Sequence, residues 1–462
     1  MRDVRKHLAR HLAWVLVLAL LLGACAPAAA PAAAPEEGQA AAEEAAPAGD
    51  FELITPDRIG DPNAPIELRV ALDANYSHQS STQGRVDYLT QKYTEWLTAN
   101  PDVQIIFEPY TGDIPTDLAR LLELAASGRA PDFAMIDGQL APLFFPYLQS
   151  LNQYVSDEEL ADWFAWARDG GMVDPSDGSL KTLWFTTNTV GLWYRQDLIP
   201  EPPRSWDEFI ATALEMKDQG FEHGFSGQGT SEQIPYGLVL PFFYSLGGKL
   251  VDESGTPIMG EEPNRSAMIE TMDFWRRAIE EGATDTTMLD ITSTAETMAV
   301  VASDSTAMIV GGSWLLPSMK ETTDESLWNF TRLPQKDPDK PAQVVGGWTW
   351  GVFTDDAEKQ AKAIDFVNYV YASPEGMAGW CEAGGYSPVR ESVYQDFPIF
   401  SEDRWQQAFS EAIAYGRTRP GVESYPILSE AIRNAYQQIM LGISTPEEAV
   451  DEAWSYIELE TK

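Results

Sequence analysis

Beyond the first 65 residues, the chain alternates between two kinds of hydrophobic periodicity. Residues 66–73 carry apolar side chains at every second position, as a strand does, and residues 86–96 carry them at helical spacing. Residues 103–107 and 132–136 again predict strands, with a helix over residues 116–127 between them. Strands that alternate with helices favour βαβ units and a mostly parallel sheet. The sequence therefore predicts an α/β fold, whose ligand binds beyond the carboxyl ends of the strands.

The first 24 residues have the composition of an export signal. Basic residues are followed by an apolar run over residues 12–22, which is too short to span a bilayer comfortably. The segment from Leu22 to Cys25 resembles the bacterial lipobox, in which the cysteine is acylated and becomes the first residue. We therefore expect residues 1–24 to be a lipoprotein signal peptide and Cys25 to be the lipid attachment point, with ordinary cleavage nearby or an uncleaved anchor as the alternative. The protein would then be extracytoplasmic, anchored to the cell membrane on its outer face or periplasmic side.

Residues 26–49 contain no aromatic and no β-branched side chain. Such a segment cannot bury enough apolar surface to fold. We expect residues 25–61, which include the acylated cysteine, to form a disordered spacer rich in alanine, proline and glutamate. Once Cys25 is acylated, the other cysteine, Cys381, has no partner for a disulfide.

The charge balance excludes one class of partner. The chain has 31 Lys+Arg against 71 Asp+Glu, a formal net charge of −40. Such a surface repels phosphate backbones, so we expect no nucleic-acid partner. General solubility, or an acidic or saline habitat, is the simple explanation for the charge, and attraction of a cationic ligand is the alternative.

The sequence lacks the common motifs of catalytic and metal sites. It has no C-x-x-C, H-E-x-x-H, P-loop or EF-hand loop, and beyond the signal only His78 and His223 remain. We therefore expect no catalytic residue, no metal and no cofactor. A glycoside hydrolase, which needs a pair of catalytic carboxylates, stays an open alternative. The chain has many acidic residues, and the distance in space between two carboxylates, which decides whether they can act as a pair, is not given by the sequence.

Seven segments, taken in order, resemble a known family. They are Ala125–Asp132, Leu183–Leu198, Pro203–Phe209, Ala302–Trp314, Gly346–Phe353, Ala361–Val367 and Gly385–Arg390. Together they are similar to the extracellular solute-binding proteins of bacterial ABC importers, in the sugar-binding group that includes maltodextrin-binding protein. Asp304 stands where that family usually has a glycine.

This resemblance implies a two-lobed periplasmic-binding-protein-like fold, with crossing strands that join the lobes and a ligand cleft between them. The first lobe would comprise residues 62–186 plus 336–376, and the second residues 187–335 plus 377–462. The lobes would close on the ligand, and a membrane permease would receive it from a monomeric, non-enzymatic binding subunit. The ligand that the resemblance implies is a carbohydrate, in particular an oligosaccharide. A polyamine or a glycerol phosphate is the alternative ligand, and a surface glycoside hydrolase is the alternative from another class.

Sugar rings stack on aromatic side chains, and sugar hydroxyls bond to polar ones. The expected ligand-binding residues are aromatic or polar side chains near strand ends, in loops and on the crossing strands: Asn75, Tyr76, Asp137, Asn188, Tyr236, Trp314, Trp348, Trp350, Tyr386 and Arg390. Six of them have a structural alternative. Asp137 could cap a helix or a turn, and Arg390 could form a salt bridge between lobes. The other four could pack in the core: Tyr236, Trp314, Trp348 and Trp350.

Overall fold

The computed structural model describes residues 51–230 and 232–462. The predicted signal peptide, Cys25 and the predicted spacer up to residue 50 lie outside these residues. Residues 51–462 form one compact unit. Within the described part of this unit, no helix is both long and apolar enough to cross a bilayer.

The strands of the described residues join into one mixed sheet. They are β1 (Ile54–Thr55), β2 (Arg58–Gly60), β3 (Ile66–Leu72), β4 (Val103–Pro109), β5 (Phe133–Asp137), β6 (Thr182–Arg195), β7 (Ser226–Gly227), β8 (Met308–Gly312), β9 (Trp328–Thr331), β10 (Gln343–Val352) and β11 (Gly416–Arg417). Their order is β1-β2-β4-β3-β5-β10-β6-β8-β7, with β9 paired to β6 and β11 to β10. The pairs β3–β4, β3–β5 and β7–β8 are parallel, as βαβ units require.

Helices connect and cover these strands. The α-helices are α1 (Gln83–Ala99), α2 (Ile114–Ala126), α3 (Ala141–Phe144), α4 (Asp157–Ala161), α5 (Ala165–Ala167), α6 (Trp206–Asp218), α7 (Leu240–Ser245), α8 (Asn264–Glu280), α9 (Thr294–Ala302), α10 (Leu316–Thr322), α11 (Ala357–Val367), α12 (Pro374–Gly384), α13 (Glu391–Asp396), α14 (Ile399–Glu402), α15 (Arg404–Ile413), α16 (Tyr425–Met440) and α17 (Pro446–Glu460). The π-helical segments are Arg168–Met172, Ile234–Val239 and Asn368–Ala372. The 3₁₀ turns are Ala74–Tyr76, Phe145–Tyr147, Thr286–Asp290, Ser313–Leu315 and Glu325–Leu327.

Local sequence signals account for several of these boundaries. The predicted helix over residues 86–96 lies inside α1, and its apolar positions Leu89, Tyr93 and Trp96 are buried. Ser205 begins α6 with a capping box, in which its hydroxyl accepts from the backbone of Glu208 and the Glu208 carboxylate accepts from the backbone of Ser205. The predicted helix over residues 86–96 is confirmed.

Two long strands, β6 and β10, cross between the two lobes of the fold. One end of β6 pairs with β10, and its other end, from Val190 to Tyr194, pairs with β8. The far end of β10, from Trp348 to Val352, pairs with β5. The first lobe therefore contains β1 to β5, and the second contains β7 to β9, with β6 and β10 crossing between them. The α/β fold with crossing strands, predicted from the sequence, is present.

A third contact lies beside the crossing strands. Thr187 and Ser387 exchange backbone hydrogen bonds of 2.9 and 3.0 Å. Before that point, α12 packs on α1: the Tyr88 ring of α1 lies 6.4 Å from the Trp380 ring, and Arg85 of α1 donates to the carbonyl oxygen of Gly384. These two residues of α12 thus contact a helix of the first lobe, whereas the sequence prediction placed residues 377–462 in the second. The lobe boundaries stay predictions.

The predicted spacer ends too late. Residues 25–61 were expected to be disordered, but β1 and β2 form a hairpin whose second strand pairs with β4. The side chain of Ile59 is fully buried, and His78 bonds to the carbonyl oxygen of Thr55 at 2.7 Å. Apolar residues return to the sequence at Phe51, so the capacity to pack returns there as well.

Candidate functional site

A polar cavity of about 130 Å³ lies between the lobes, at the carboxyl end of β5 and beside the middle of β10. Its walls come from both lobes and from the crossing strands. The lining residues are Asp73, Asn75, Tyr76, Arg85, Ile114, Asp137, Asn188, Glu232, Gln233, Tyr236, Thr294, Trp314, Gly346, Gly347, Trp348, Tyr386 and Arg419. This position is the one at which ligands of open α/β sheets bind.

Aromatic rings form opposing walls of this cavity. Tyr76 stacks on Tyr386 with ring centroids 5.5 Å apart, and it meets the Trp348 ring edge-on at 5.8 Å. On the side of the second lobe, Tyr236 lies 6.3 Å from Trp314. Trp314 keeps part of its surface accessible, whereas the other four are buried. Flat apolar faces of a ligand can therefore stack on rings from both lobes.

An ion pair crosses the cavity between Asp137 and Arg419. Asp137 is the last residue of β5, and Arg419 precedes α16 in the second lobe. The Arg419 guanidinium donates to Asp137 Oδ2, while the other carboxylate oxygen accepts from the backbone of Gln139 at 3.0 Å. Asp137 therefore caps a turn, as one sequence alternative proposed, and also holds the opposite lobe. The guanidinium lies 4.6 Å from the ring centroid of Tyr236.

Glu232 brings a second carboxylate to Arg419. The shortest distance from Glu232 Oε1 to an Arg419 nitrogen is 3.8 Å. Burial in the cleft raises the pKa of Glu232 to about 7, and the negative charge of Asp137 adds to the rise while Arg419 opposes it. Glu232 can therefore act as a hydrogen-bond donor or an acceptor near neutral pH.

The crossing strands supply a hydrogen bond beside the ion pair. The Tyr236 hydroxyl donates to Asn188 Oδ1 at 2.6 Å. Tyr236 and Arg419 approach the backbone of β10 at Gly346, where an added Cβ would lie 2.9 Å from the Tyr236 hydroxyl oxygen. A glycine is needed here because these two side chains occupy the space of a side chain on β10.

Arg85 ties α1 to both lobes. Its Nη2 donates to the carbonyl oxygens of Trp314 at 2.9 Å and Gly384 at 2.8 Å. Its guanidinium also lies 5.4 Å from the centroid of the Tyr386 ring. Arg85 thus fixes the backbone that carries Trp314 against the first lobe.

The structure brings most of the predicted binding residues together. Eight of them line the cavity: Asn75, Tyr76, Asp137, Asn188, Tyr236, Trp314, Trp348 and Tyr386. Their contact with a ligand stays a prediction, since the structure contains the site alone.

Two predicted binding residues lie elsewhere. Trp350 is fully buried and packs on Phe185 at 5.6 Å, because it lies deeper in the first lobe than Trp348, opposite Met135 of β5. Arg390 is also buried, and its Nε donates to Asp162 at 2.6 Å while its guanidinium covers the Trp163 ring at 4.0 Å. The prediction that these two line the cleft is not supported by their positions, and their contacts give both a packing role.

Sequence reasoning missed several lining residues: Asp73, Arg85, Gln233, Glu232, Thr294 and Arg419. Asp73 follows directly from β3, at the same sheet edge as Asp137, so strand-end position was an available signal. Arg419 lies in a segment without a clear periodicity. Its place in the cleft depends on the pairing of β11, just before Arg419, with β10.

The described residues contain no group of three or more His, Cys, Asp or Glu side chains that could hold a metal ion. The cleft residues supply hydrogen bonds, charge and ring surfaces. Cys381 is free within the described part of the chain, and burial raises the pKa of its thiol.

Comparison with known proteins supplies the family. The family described as "Bacterial extracellular solute-binding protein" matches residues 89–409, which is most of the folded chain. The chain belongs to this family. The prediction made from the ordered sequence segments is thereby confirmed, and the family's extracellular character implies an extracytoplasmic location.

Relatives of this solute-binding protein include sugar-binding proteins. A "Maltotriose-binding protein" of Pyrococcus abyssi (strain GE5 / Orsay) is 20% identical over 352 residues, covering 75% of this chain and 73% of the relative. Among solved structures, maltose-bound T. maritima MalE3 has a TM-score of 0.72 at 20% identity, covering 85% of this chain and 99% of that chain.

Two further solved structures have the same fold. The GacH receptor of Streptomyces glaucescens GLA.O, solved unliganded and with acarbose, has a TM-score of 0.71 at 19% identity, with 85% of this chain and 98% of that chain covered. The MalE domain of Bdellovibrio bacteriovorus bound to maltotriose has a TM-score of 0.67 at 14% identity, with 86% and 100% covered. The two-lobed fold predicted from the sequence is confirmed.

Proposed function

We propose that this chain is the lipid-anchored substrate-binding subunit of an ABC importer, which captures a carbohydrate by lobe closure and delivers it to a membrane permease. The observation that carries the proposal is the cavity itself. Aromatic rings from both lobes surround a space in which carboxylate, amide, hydroxyl and guanidinium groups alternate. This combination suits a ligand with apolar ring faces and a periphery of hydroxyl groups.

The charge of the cavity favours a neutral ligand over the two charged alternatives. Three carboxylates, from Asp73, Asp137 and Glu232, face two guanidinium groups, from Arg85 and Arg419. Arg419 is already paired with Asp137, and Arg85 donates to backbone carbonyls. The arginines are thus engaged by the protein, which disfavours a glycerol phosphate, and they offset most of the negative charge that a polyamine would need.

Lobe motion follows from the size of the cavity. Small-molecule sites usually enclose about 300–1,000 Å³, so a cavity of about 130 Å³ is too small for an oligosaccharide. Opening at the crossing strands would admit the ligand, and contacts of the ligand with both lobes would then favour the closed state. An oligosaccharide is therefore proposed to bind only after the Arg419–Asp137 contact opens.

The relatives are binding proteins, and the absence of catalytic activity in this chain is part of the proposal. Thermal unfolding of residues 51–462 with maltodextrins, other sugars, spermidine and glycerol 3-phosphate tests the ligand class. A ligand that binds only the folded state raises the midpoint with the logarithm of its concentration. A shift with a sugar that chromatography recovers intact supports the proposal, whereas a shift with spermidine alone, or hydrolysis of the sugar, contradicts it.

The lipid anchor and the permease need a test in cells. Serine has no thiol to which the lipid could be attached through a thioether. We therefore expect the Cys25→Ser chain to leave the membrane fraction and the original chain to remain there. Uptake of the sugar should fall in the Cys25→Ser strain even where the released protein still binds sugar. Equal membrane retention of both chains would rule out Cys25 as the anchor.

A further inference from the structure

A second cavity lies beside the cleft and has a different chemical character. Its volume is about 470 Å³, and it lies between α2 and the segment after β5 in the first lobe and the start of α16 in the second. Its floor is mainly aliphatic, formed by Ile114, Pro115, Leu118, Leu122, Leu140 and Leu143. Aromatic and polar side chains complete the lining: Glu123, Phe144, Tyr147, Glu423, Tyr425 and Ser429. This side cavity is thus a largely apolar space between the lobes.

The side cavity and the cleft share a boundary. Ile114, Asp137, Glu232 and Arg419 line both spaces. Asp137 and Arg419 pair with each other there, and Arg419 Nε is buried without a hydrogen-bond partner among the described residues. A ligand bound by the polar cleft can therefore extend past this pair into the apolar space.

The lining decides which part of a ligand fits there. A sugar ring placed against Leu118, Leu122 and Leu143 would lose hydrogen bonds to water without replacing them, which is unfavourable. An alkyl chain or an aromatic ring has no such loss, and its transfer from water to an aliphatic surface is favourable. The volume of about 470 Å³ falls within the range of small-molecule sites.

We propose that this protein binds a carbohydrate that carries an apolar aglycone, an alkyl or aryl glycoside, with the sugar in the cleft and the aglycone in the side cavity. The inference rests on the proposed carbohydrate-binding function and names its substrate class more closely. It gives the aliphatic floor of the side cavity a role in ligand recognition. Hydrogen bonds to sugar hydroxyls do not account for that floor, because its side chains have no polar atoms.

The test compares glycosides that differ only in the aglycone. Calorimetric titration of residues 51–462 uses methyl and hexyl glycosides of glucose, maltose, galactose and xylose, each below its micelle concentration. For each sugar that binds, we expect the affinity for the hexyl glycoside to exceed that for the methyl glycoside by about tenfold or more, because five more methylene groups leave water. Equal affinity of the two members contradicts this inference and leaves the proposed function standing, whereas no binding by any pair contradicts both.

Two variants locate the aglycone. Leu122 is half-buried at the side cavity, so Leu122→Glu should reduce hexyl affinity to the methyl value and leave methyl affinity unchanged. The matched control is Leu214→Glu, a half-buried leucine on α6 that lines neither cavity. Leu143→Gln makes the same test if Leu122→Glu fails to fold. If a folded Leu122→Glu or Leu143→Gln variant still binds the hexyl glycoside more tightly than the methyl glycoside, the proposal is contradicted.

Discussion

Arg419 and Asp137 form an ion pair between the two lobes, and their side chains are only 7% and 3% exposed. Two other contacts also cross between lobes. Arg85 donates to the carbonyl oxygen of Trp314, and the Gly84 backbone donates to Glu321 at 3.3 Å. The lobes are therefore held together by polar contacts around a small cavity.

Removal of this ion pair should open the cleft. In Arg419→Ala, the Asp137 carboxylate would stay buried without its partner, an arrangement that costs about 3–5 kcal/mol when a buried pair is broken. Separation of the lobes hydrates that carboxylate, so we expect a larger radius of gyration by small-angle scattering. Arg265→Ala is the matched control, because its pair with Asp451 is exposed and should contribute about 1 kcal/mol or less. Identical scattering from Arg419→Ala and the original chain would contradict this expectation.

Two tryptophans on one strand separate binding from stability. Trp348 faces the cavity and Trp350 lies in the core, two positions along β10. We expect Trp348→Ala to weaken sugar binding about tenfold or more, because a stacking ring is lost. Trp350→Ala should lower the free energy of unfolding by about 3–5 kcal/mol through the cavity it leaves. Calorimetry and urea unfolding measure the two effects, and an unchanged affinity in Trp348→Ala would remove this ring from the site.

Glu232 should make the closed cleft sensitive to pH. Its pKa is raised to about 7 in the folded state, above the usual range of a glutamate near 4. Between these two values the folded state binds the extra proton, so its stability decreases as pH rises from about 4.5 to about 7. Burial raises this pKa most, Arg419 lowers it, and the nearby carboxylates of Asp137, Asp73 and Asp113 raise it further.

The pH effect is measured by unfolding between pH 5 and pH 8. We expect a loss of about 1–3 kcal/mol across that range from this group, because the side chain is 24% exposed and solvent reduces the full effect. In Glu232→Gln this part of the pH dependence should disappear. A Glu232→Gln profile that matches the original chain at every pH would show that another group is responsible.

Arg390 is expected to act on stability alone. Its guanidinium is paired with Asp162 and stacked on Trp163, and the Asp162 carboxylate also accepts from the hydroxyl of Ser392 at 2.6 Å. Arg390→Ala should lower the free energy of unfolding by about 3 kcal/mol while sugar affinity stays within twofold. Loss of affinity without loss of stability would return Arg390 to the binding site.

The fold and much of the site could be predicted because they depend on local patterns. Strand and helix periodicity identified the elements of the first lobe, and strand-end position identified Asp137. Asp304 gives a further example, since the family usually has a glycine there. The residue has a φ of 53°, a conformation that glycine adopts without strain and aspartate tolerates, and its carboxylate accepts from Arg195 at 2.8 Å.

The rest of the site depends on tertiary contacts that no local pattern carries. Arg419 and Asp137 are far apart in sequence, and their pairing requires β11, just before Arg419, to lie beside β10. Trp348 and Trp350 are two residues apart on β10 and therefore share one face of the strand, yet only Trp348 lines the cavity, because Trp350 lies deeper in the first lobe, opposite Met135 of β5. Since the two rings lie on the same face, sequence alone could not separate the cavity residue from the core residue.

The most direct test of the central claim is calorimetric titration of maltotriose into residues 51–462, with chromatography of the sugar afterwards. The account predicts saturable binding of one sugar per chain, recovery of intact maltotriose, and loss of binding in Trp314→Ala, whose ring faces the cleft. If maltotriose and the other sugars tested give no heat of binding while spermidine does, the carbohydrate claim is contradicted and the acidic side chains of the cleft define a cation site instead.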